Sequence, residues 1–137
     1  MSQYLITSQT CPSADAWLAE AKKDPQAENV GMYLTHTGVV RSTAKALVRE
    51  GAEGTKPVTG MHFSYDAAGV ETAIAETLRM DGIFFVRVWL NSGELEPGDT
   101  IMQVLIGGDI RPRVIDGLQY LVGKIKRECV TEEEQYG

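Results

Sequence analysis

Between Arg111 and Arg127 the chain carries five basic residues, Arg111, Arg113, Lys124, Lys126 and Arg127, against one acid, Asp116, although its formal net charge is -6. Positive charge concentrated against the overall balance suits local capture of an anion, because no long-range field of an acidic protein would deliver one. The segment is led by Gly107-Gly108-Asp109. A glycine pair ahead of a helix can expose backbone N–H groups to an anion, and Arg111 or Arg113 would add charge-assisted hydrogen bonds. The same residues also serve a tight turn into a helix, with Asp109 in N-cap position and Pro112 in the first turn, where its missing N–H costs nothing. Gly-Gly-Asp falls short of the dinucleotide and phosphate-loop spacings, so pattern alone favours the turn. Lys126 has an equally plain reading, since a lysine near a helix C-terminus gains some tenths of a kcal/mol from the dipole.

The remaining chemistry-bearing side chains form no constellation. His36 and His62 lack a ligand partner at metal spacing and are expected on sheet surfaces without a role. Cys11 and Cys129 have no visible activating base, and no Ser/His/Asp arrangement is indicated. Neither a metal nor a cofactor is expected, and Trp17 and Trp89 are assigned to the core.

The elements that must position these residues follow from periodicity. Ser13 can cap a helix to about Lys23, with Ala14, Trp17, Leu18 and Ala21 on one face and Asp24-Pro25 as the stop. From Val30 to Arg41 the chain alternates as a strand, Met32, Leu34, His36, Gly38 and Val40 on one face, and Arg41 closes it. Ser42 to Pro57 is small and charged; so long a connection is expected to be functional or mobile, with one helical turn allowed over 44–49. Val58 to Tyr65 alternates again, and Asp66 leads a helix with the stripe Val70, Ile74, Leu78, ended by Asp81-Gly82. Ile83 to Leu90 is apolar on both faces, as a central strand is. After a turn over 91–99, a strand runs from Thr100 to Ile106. The last helix reaches about Glu128 and buries Val114, Leu118, Leu121, Val122 and Ile125. The acidic run 131–137 stands on the wrong side of that helix dipole and is expected to be a frayed, solvated tail. The order predicts a single α+β domain over 1–137, with a mixed or antiparallel sheet and three main helices.

Composition sets the bounds. A chain of 137 residues with 43% hydrophobic content can build a core without disulfides or metal, and two cysteines suit a reducing cytosol. The acidic balance disfavours nucleic acid, and the N-terminal segment lacks a leader pattern while no apolar run is long enough to span a bilayer. The expectation is a cytoplasmic protein with no nucleic-acid or membrane partner.

Three stretches taken together resemble the large, catalytic subunit of molybdopterin synthase. Gly31-Met32-Tyr33-Leu34-Thr35-His36-Thr37-Gly38-Val39-Val40-Arg41 is similar to that family's glycine-led strand ending Gly-x-Val-Arg. Ser64-Tyr65-Asp66 leads into a helix where the family has Tyr-Glu-x-Tyr, and Gly93-Glu94-Leu95-Glu96-Pro97-Gly98-Asp99 is close to its Gly-x-Leu-x-x-Gly-Glu. The resemblance covers about Asp24 to Glu128 and rests on order and spacing. It implies an α/β hammerhead-type fold, a homodimer, and a small ubiquitin-like sulfur-carrier subunit whose extended tail enters the site. The implied reaction moves sulfur from the carrier's C-terminal thiocarboxylate to cyclic pyranopterin monophosphate, in molybdenum cofactor biosynthesis. By the same resemblance Arg41 and Arg111 bind anions and Lys126 is the catalytic lysine, polarising or attacking the thiocarboxylate carbonyl or moving protons.

Where the family has a histidine before the helix-opening arginine this chain has Ile110, and Leu90-Asn91 replaces a His-Arg pair. A second lysine seven residues after the first is replaced by Glu133; alternatively Lys126-Arg127-Glu128 corresponds to that second lysine and the first is absent. Such a chain could also be a catalytically impaired homologue that binds the carrier tail or a phosphorylated pterin. Arg111 and Lys126 would stand roughly 22 Å apart on one straight helix, too far to grip one small pterin. Either the site is shared across a two-fold axis or one of the two residues is structural.

Overall fold

The computed structural model describes residues 4–137; Met1 to Gln3, where the leader reading began, lie outside them. Strands β1 (Leu5–Ile6), β4 (Ile83–Leu90), β6 (Thr100–Gly108) and β2 (Met32–Val39) form one sheet in the order β1-β4-β6-β2, parallel between β1 and β4 and antiparallel elsewhere. A second, antiparallel sheet has the order β5-β3-β7, from Gly93–Leu95, Val58–Tyr65 and Val130–Tyr136. Helices α1 (Ala14–Ala21), α3 (Ala67–Leu78) and α4 (Arg111–Lys124) are the three main ones, joined by a short α2 (Lys45–Glu50). The α+β reading and the three main helices hold, with two sheets in place of one.

The two-sided apolar pattern of β4 has its expected cause. Ile83, Val86, Val88 and Leu90 enter the larger core with α3, α4 and the second sheet, while Phe85 and Trp89 pack under α1 with Trp17, Ala21 and Leu105. An irregularity between Ile83 and Phe85 shifts the alternation, which is how Ile83 shares a face with Val86. Ser13 caps α1 through its side chain, accepting from the Ala16 N–H at 3.2 Å. Arg87 lies over the Trp17 and Phe85 rings and pairs with Glu20 at 3.1 Å, fixing that helix to the sheet.

Three local expectations are corrected. The acidic segment 131–137 is no tail: β7 pairs with β3 from Tyr65 opposite Val130 to Val58 opposite Tyr136. Successive strand side chains point to opposite faces, so the run Glu132-Glu133-Glu134 is divided between two surfaces and its self-repulsion falls. Asp109 is not the N-cap of α4; that position is Ile110. The reason is that β6 continues through Gly108, and the Asp109 carboxylate is taken up by the Ile110 N–H and the Arg113 guanidinium, both at 2.7 Å. Finally, the glycine pair is no exposed turn, since both residues are buried at the end of β6.

Close packing explains that pair. A Cβ on Gly107 would lie 2.7 Å from the Tyr33 ring, and one on Gly108 would meet the Gly82 carbonyl oxygen at 2.5 Å and Val114 Cγ2 at 2.8 Å. Because one obstacle at Gly108 is a backbone carbonyl oxygen and the other a fully buried valine of α4, Gly108→Ala should cost about 3 kcal/mol of stability by urea denaturation. An exposed anion turn would instead lose anion affinity with its stability intact.

Candidate functional site

Antiparallel pairing decides which predicted residues meet. Met32 lies opposite Gly108 and Val39 opposite Thr100, so Arg41 follows β2 out at the end of the sheet where β6 begins. Helix α4 then runs back along β6 and passes into a π-helical turn, Ile125–Cys129, that carries Lys126 to the same end. Arg41 and Lys126 line one cleft of about 230 Å³ together with His36, Phe63, Ile101 and Met102. Arg111 does not line it. It is exposed at the start of α4, at the far end of an eight-residue β2 about 25 Å long.

Beside this cleft is a smaller space of about 40 Å³ that shares Arg41, Ile101 and Lys126 with it and is also lined by Lys45, Arg49, Glu132 and Glu134. One carboxylate sits between two amines there: Lys126 Nζ donates to Glu132 Oε2 at 3.1 Å and Lys45 Nζ to Oε1 at 3.4 Å. The Glu132 side chain is only 10% exposed. Burial opposes its charge, but the attraction of Lys126 and Lys45 and their hydrogen bonds outweigh it and hold the carboxyl below the usual range. Glu134 is engaged differently, accepting from the backbone N–H of Lys45 at 3.1 Å and from the Tyr136 hydroxyl at 2.7 Å. The connection over 42–57 is thereby tied to β7, and the Val58 N–H closes its base on the Ser42 carbonyl at 2.8 Å.

His36 faces the cleft and is not simply a sheet-surface residue. Burial, helped by the charge of Lys126, lowers its pKa below the ordinary 6.5. His62 does lie on the second sheet's surface, 2.7 Å from Glu94 and opposite Glu133 in register. A depressed histidine binds fewer protons folded than unfolded, so stability is lost as pH falls below 6.5 towards the folded value. Glu132 acts in the same direction at lower pH, contributing above its ordinary 4.5 and losing that contribution as pH falls through its folded value. The melting temperature should therefore fall between pH 7.5 and 5.5, and His36→Gln should flatten that first step.

The site thus gathers Lys45, Arg49, Glu132, Glu134 and His36, none of which the sequence reading assigned to it. Signals existed: Lys45 and Arg49 are four apart, one turn of a helix, and Glu132 and Glu134 are two apart, one face of a strand. What the arrangement can do is bind an oxyanion with fixed cations beside an apolar cleft wall. Among the described residues no group of three or more His, Cys, Asp or Glu could hold a metal, and no helix is long and apolar enough to cross a membrane.

The sequence matches the MoaE protein family over residues 8–128. No curated protein matches it. Similar solved structures include the molybdopterin biosynthesis MoaE protein of Burkholderia ambifaria MC40-6, at 17% identity and a TM-score of 0.72, covering 98% of this chain and 86% of that one. Molybdopterin synthase from Staphylococcus aureus superposes at a TM-score of 0.70 with 14% identity, over 100% of this chain and 93% of that one. A complex of subunits 1 and 2 of the molybdopterin-converting factor from Helicobacter pylori 26695 gives 0.67 and 14%, over 96% and 84%. At these identities the structural likeness shows the fold.

Proposed function

Since the chain belongs to the MoaE family, whose role is molybdenum cofactor biosynthesis, we propose that it is the large subunit of a molybdopterin synthase, transferring sulfur from the C-terminal thiocarboxylate of a small carrier subunit to cyclic pyranopterin monophosphate. The observation that carries this reading is the meeting of Arg41 and Lys126 in one cleft. Lys126 already donates to a carboxylate oxygen at 3.1 Å, so it acts there as a charged hydrogen-bond donor. This supports polarisation of the thiocarboxylate carbonyl over attack by a free amine. Arg41, whose Nε donates to the Thr43 carbonyl at 3.2 Å, is held at the cleft mouth with its remaining N–H groups available to an anionic substrate. The solved Helicobacter pylori complex of two subunits supports a small-subunit partner. The protein works in the cytoplasm.

Arg111 enters through a second copy of the chain. Within one protomer it stands at the other end of the sheet from Lys126, so its part in binding the pterin phosphate requires a homodimer with a shared site. Its surroundings expose apolar side chains: Ile110, next to it, is 53% exposed and Ile115, four residues on, 37%. Light scattering at micromolar concentration should give twice the chain mass, and a monomer would remove Arg111 from the site. The activity itself is tested by mixing the protein with a thiocarboxylated carrier and the pyranopterin; molybdopterin should form, and no product above background sinks the reading. The catalytically impaired alternative, a module that binds tail or pterin without turnover, is favoured by Ile110 and Glu133 and would show tight calorimetric binding in the same mixture.

A further inference from the structure

Glu132 bridges two amines. Its two oxygens are divided between two amines from separate elements, Lys45 on α2 and Lys126 in the π-turn, at 3.4 and 3.1 Å. Four cations, Arg41, Lys45, Arg49 and Lys126, line the surrounding space, and of the two carboxylates facing them Glu134 is already spent on the Lys45 backbone N–H and Tyr136. Take Glu132 away and the space holds a strong positive excess at one end of a larger cleft, because the two share Arg41, Ile101 and Lys126. The larger cleft is walled by Phe63, Ile101, Met102, Val122 and Val130. That lining suits an extended chain better than a multiply charged group, with only its terminal atoms reaching the amines.

We propose that Lys45 and Lys126 form a two-lysine clamp for the terminal carboxylate or thiocarboxylate of a peptide chain, and that Glu132 fills the clamp in the free protein as an internal stand-in which the incoming terminus displaces. The identity of that terminus as the carrier's rests on the function proposed above; the clamp itself rests on the geometry. Lys45 then supplies a second amine from a different part of the chain, where Glu133 offers none. The ligand is planar, singly charged and presents two heteroatoms, because that is the group the two amines already hold. Lys45 is a binding residue in this scheme, and the Glu132 side chain on β7 is the group that substrate entry displaces.

Acetate serves as the probe, titrated into the protein while the lysine ammonium resonances of Lys45 and Lys126 are followed by NMR, with inorganic phosphate as the comparison. Removing the resident competitor in Glu132→Gln should tighten acetate binding roughly tenfold, and Lys45→Ala in that background should abolish the gain, as loss of a charge-assisted hydrogen bond predicts. A merely structural pair predicts the reverse, a less stable protein with no tighter binding; that result, or phosphate binding more tightly than acetate, overturns the clamp. If Glu132→Gln fails to fold, the parent background carries the contrast: acetate shifts at Lys126 lost in Lys45→Ala and kept in Lys45→Arg support the clamp, and shifts unaffected by Lys45→Ala refute it. The reconstituted reaction separates the two claims. Turnover by the parent with the acetate effects absent sinks the clamp and leaves the function; acetate effects without turnover sink the function and leave a carboxylate site.

Discussion

Lys126→Ala should lower sulfur transfer in the reconstituted reaction by about 10²–10³-fold, the scale seen when one preorganised donor to a developing oxyanion is lost. The fold should survive, because Lys126 is partly exposed and its partner Glu132 keeps the Lys45 amine at 3.4 Å. Circular dichroism and the melting temperature should therefore be close to those of the parent, which assigns the lost rate to chemistry. The loss should appear in kcat with a smaller change in KM for the carrier, since the apolar wall of the cleft is untouched. Arg41→Ala should behave differently, raising KM for the phosphorylated substrate more than it lowers kcat. Turnover by Lys126→Ala within threefold of the parent would mean that the cleft is not where the reaction takes place.

Truncation before Val130 should leave a marginally stable or unfolded chain. It removes all of β7, which pairs with β3 at seven positions. At ~0.5–1.5 kcal/mol net per ladder hydrogen bond, and about one bond per paired position, the loss is on the order of 4–10 kcal/mol, comparable with the whole stability of a small domain, about 5–15 kcal/mol. It also strips Lys45 and Lys126 of Glu132 and opens the backbone edge of β3, so the remnant should be prone to association. Urea denaturation and size-exclusion chromatography read both effects. A solvated tail would be removed without consequence, and an unchanged denaturation midpoint would show that β7 contributes nothing to the fold.

These two experiments fall on opposite sides of what a linear chain displays. Periodicity was enough for the strands Val58–Tyr65 and Ile83–Leu90, which the structure reproduces to the residue, because alternation and two-sided apolar faces are local consequences of burial. The Ser13 cap was legible for the same reason: a side chain bonding three residues along needs no distant partner. Arg41 and Lys126 could be singled out only through the resemblance to a family, since pattern alone left Lys126 a lysine placed for the helix dipole.

What only the tertiary structure decided is where charges find their partners. In the sequence Glu132 follows a helix C-terminus and so reads as repelled and solvated, because local electrostatics sees the dipole and the neighbouring acids. Folded, it lies between Lys45 and Lys126, and two attractions at about 3 Å outweigh both its desolvation and its neighbours. The glycine pair went the other way. An anion cradle and a tight packing contact need the same residue type, and only the approach of Tyr33, Gly82 and Val114 shows that space, and not a ligand, excludes a side chain there. Order along the chain determined the elements, and the family resemblance named two of the site's cations; the antiparallel return of β6 and α4 determined that Arg41 and Lys126 meet while Arg111 is left at the far end of the sheet.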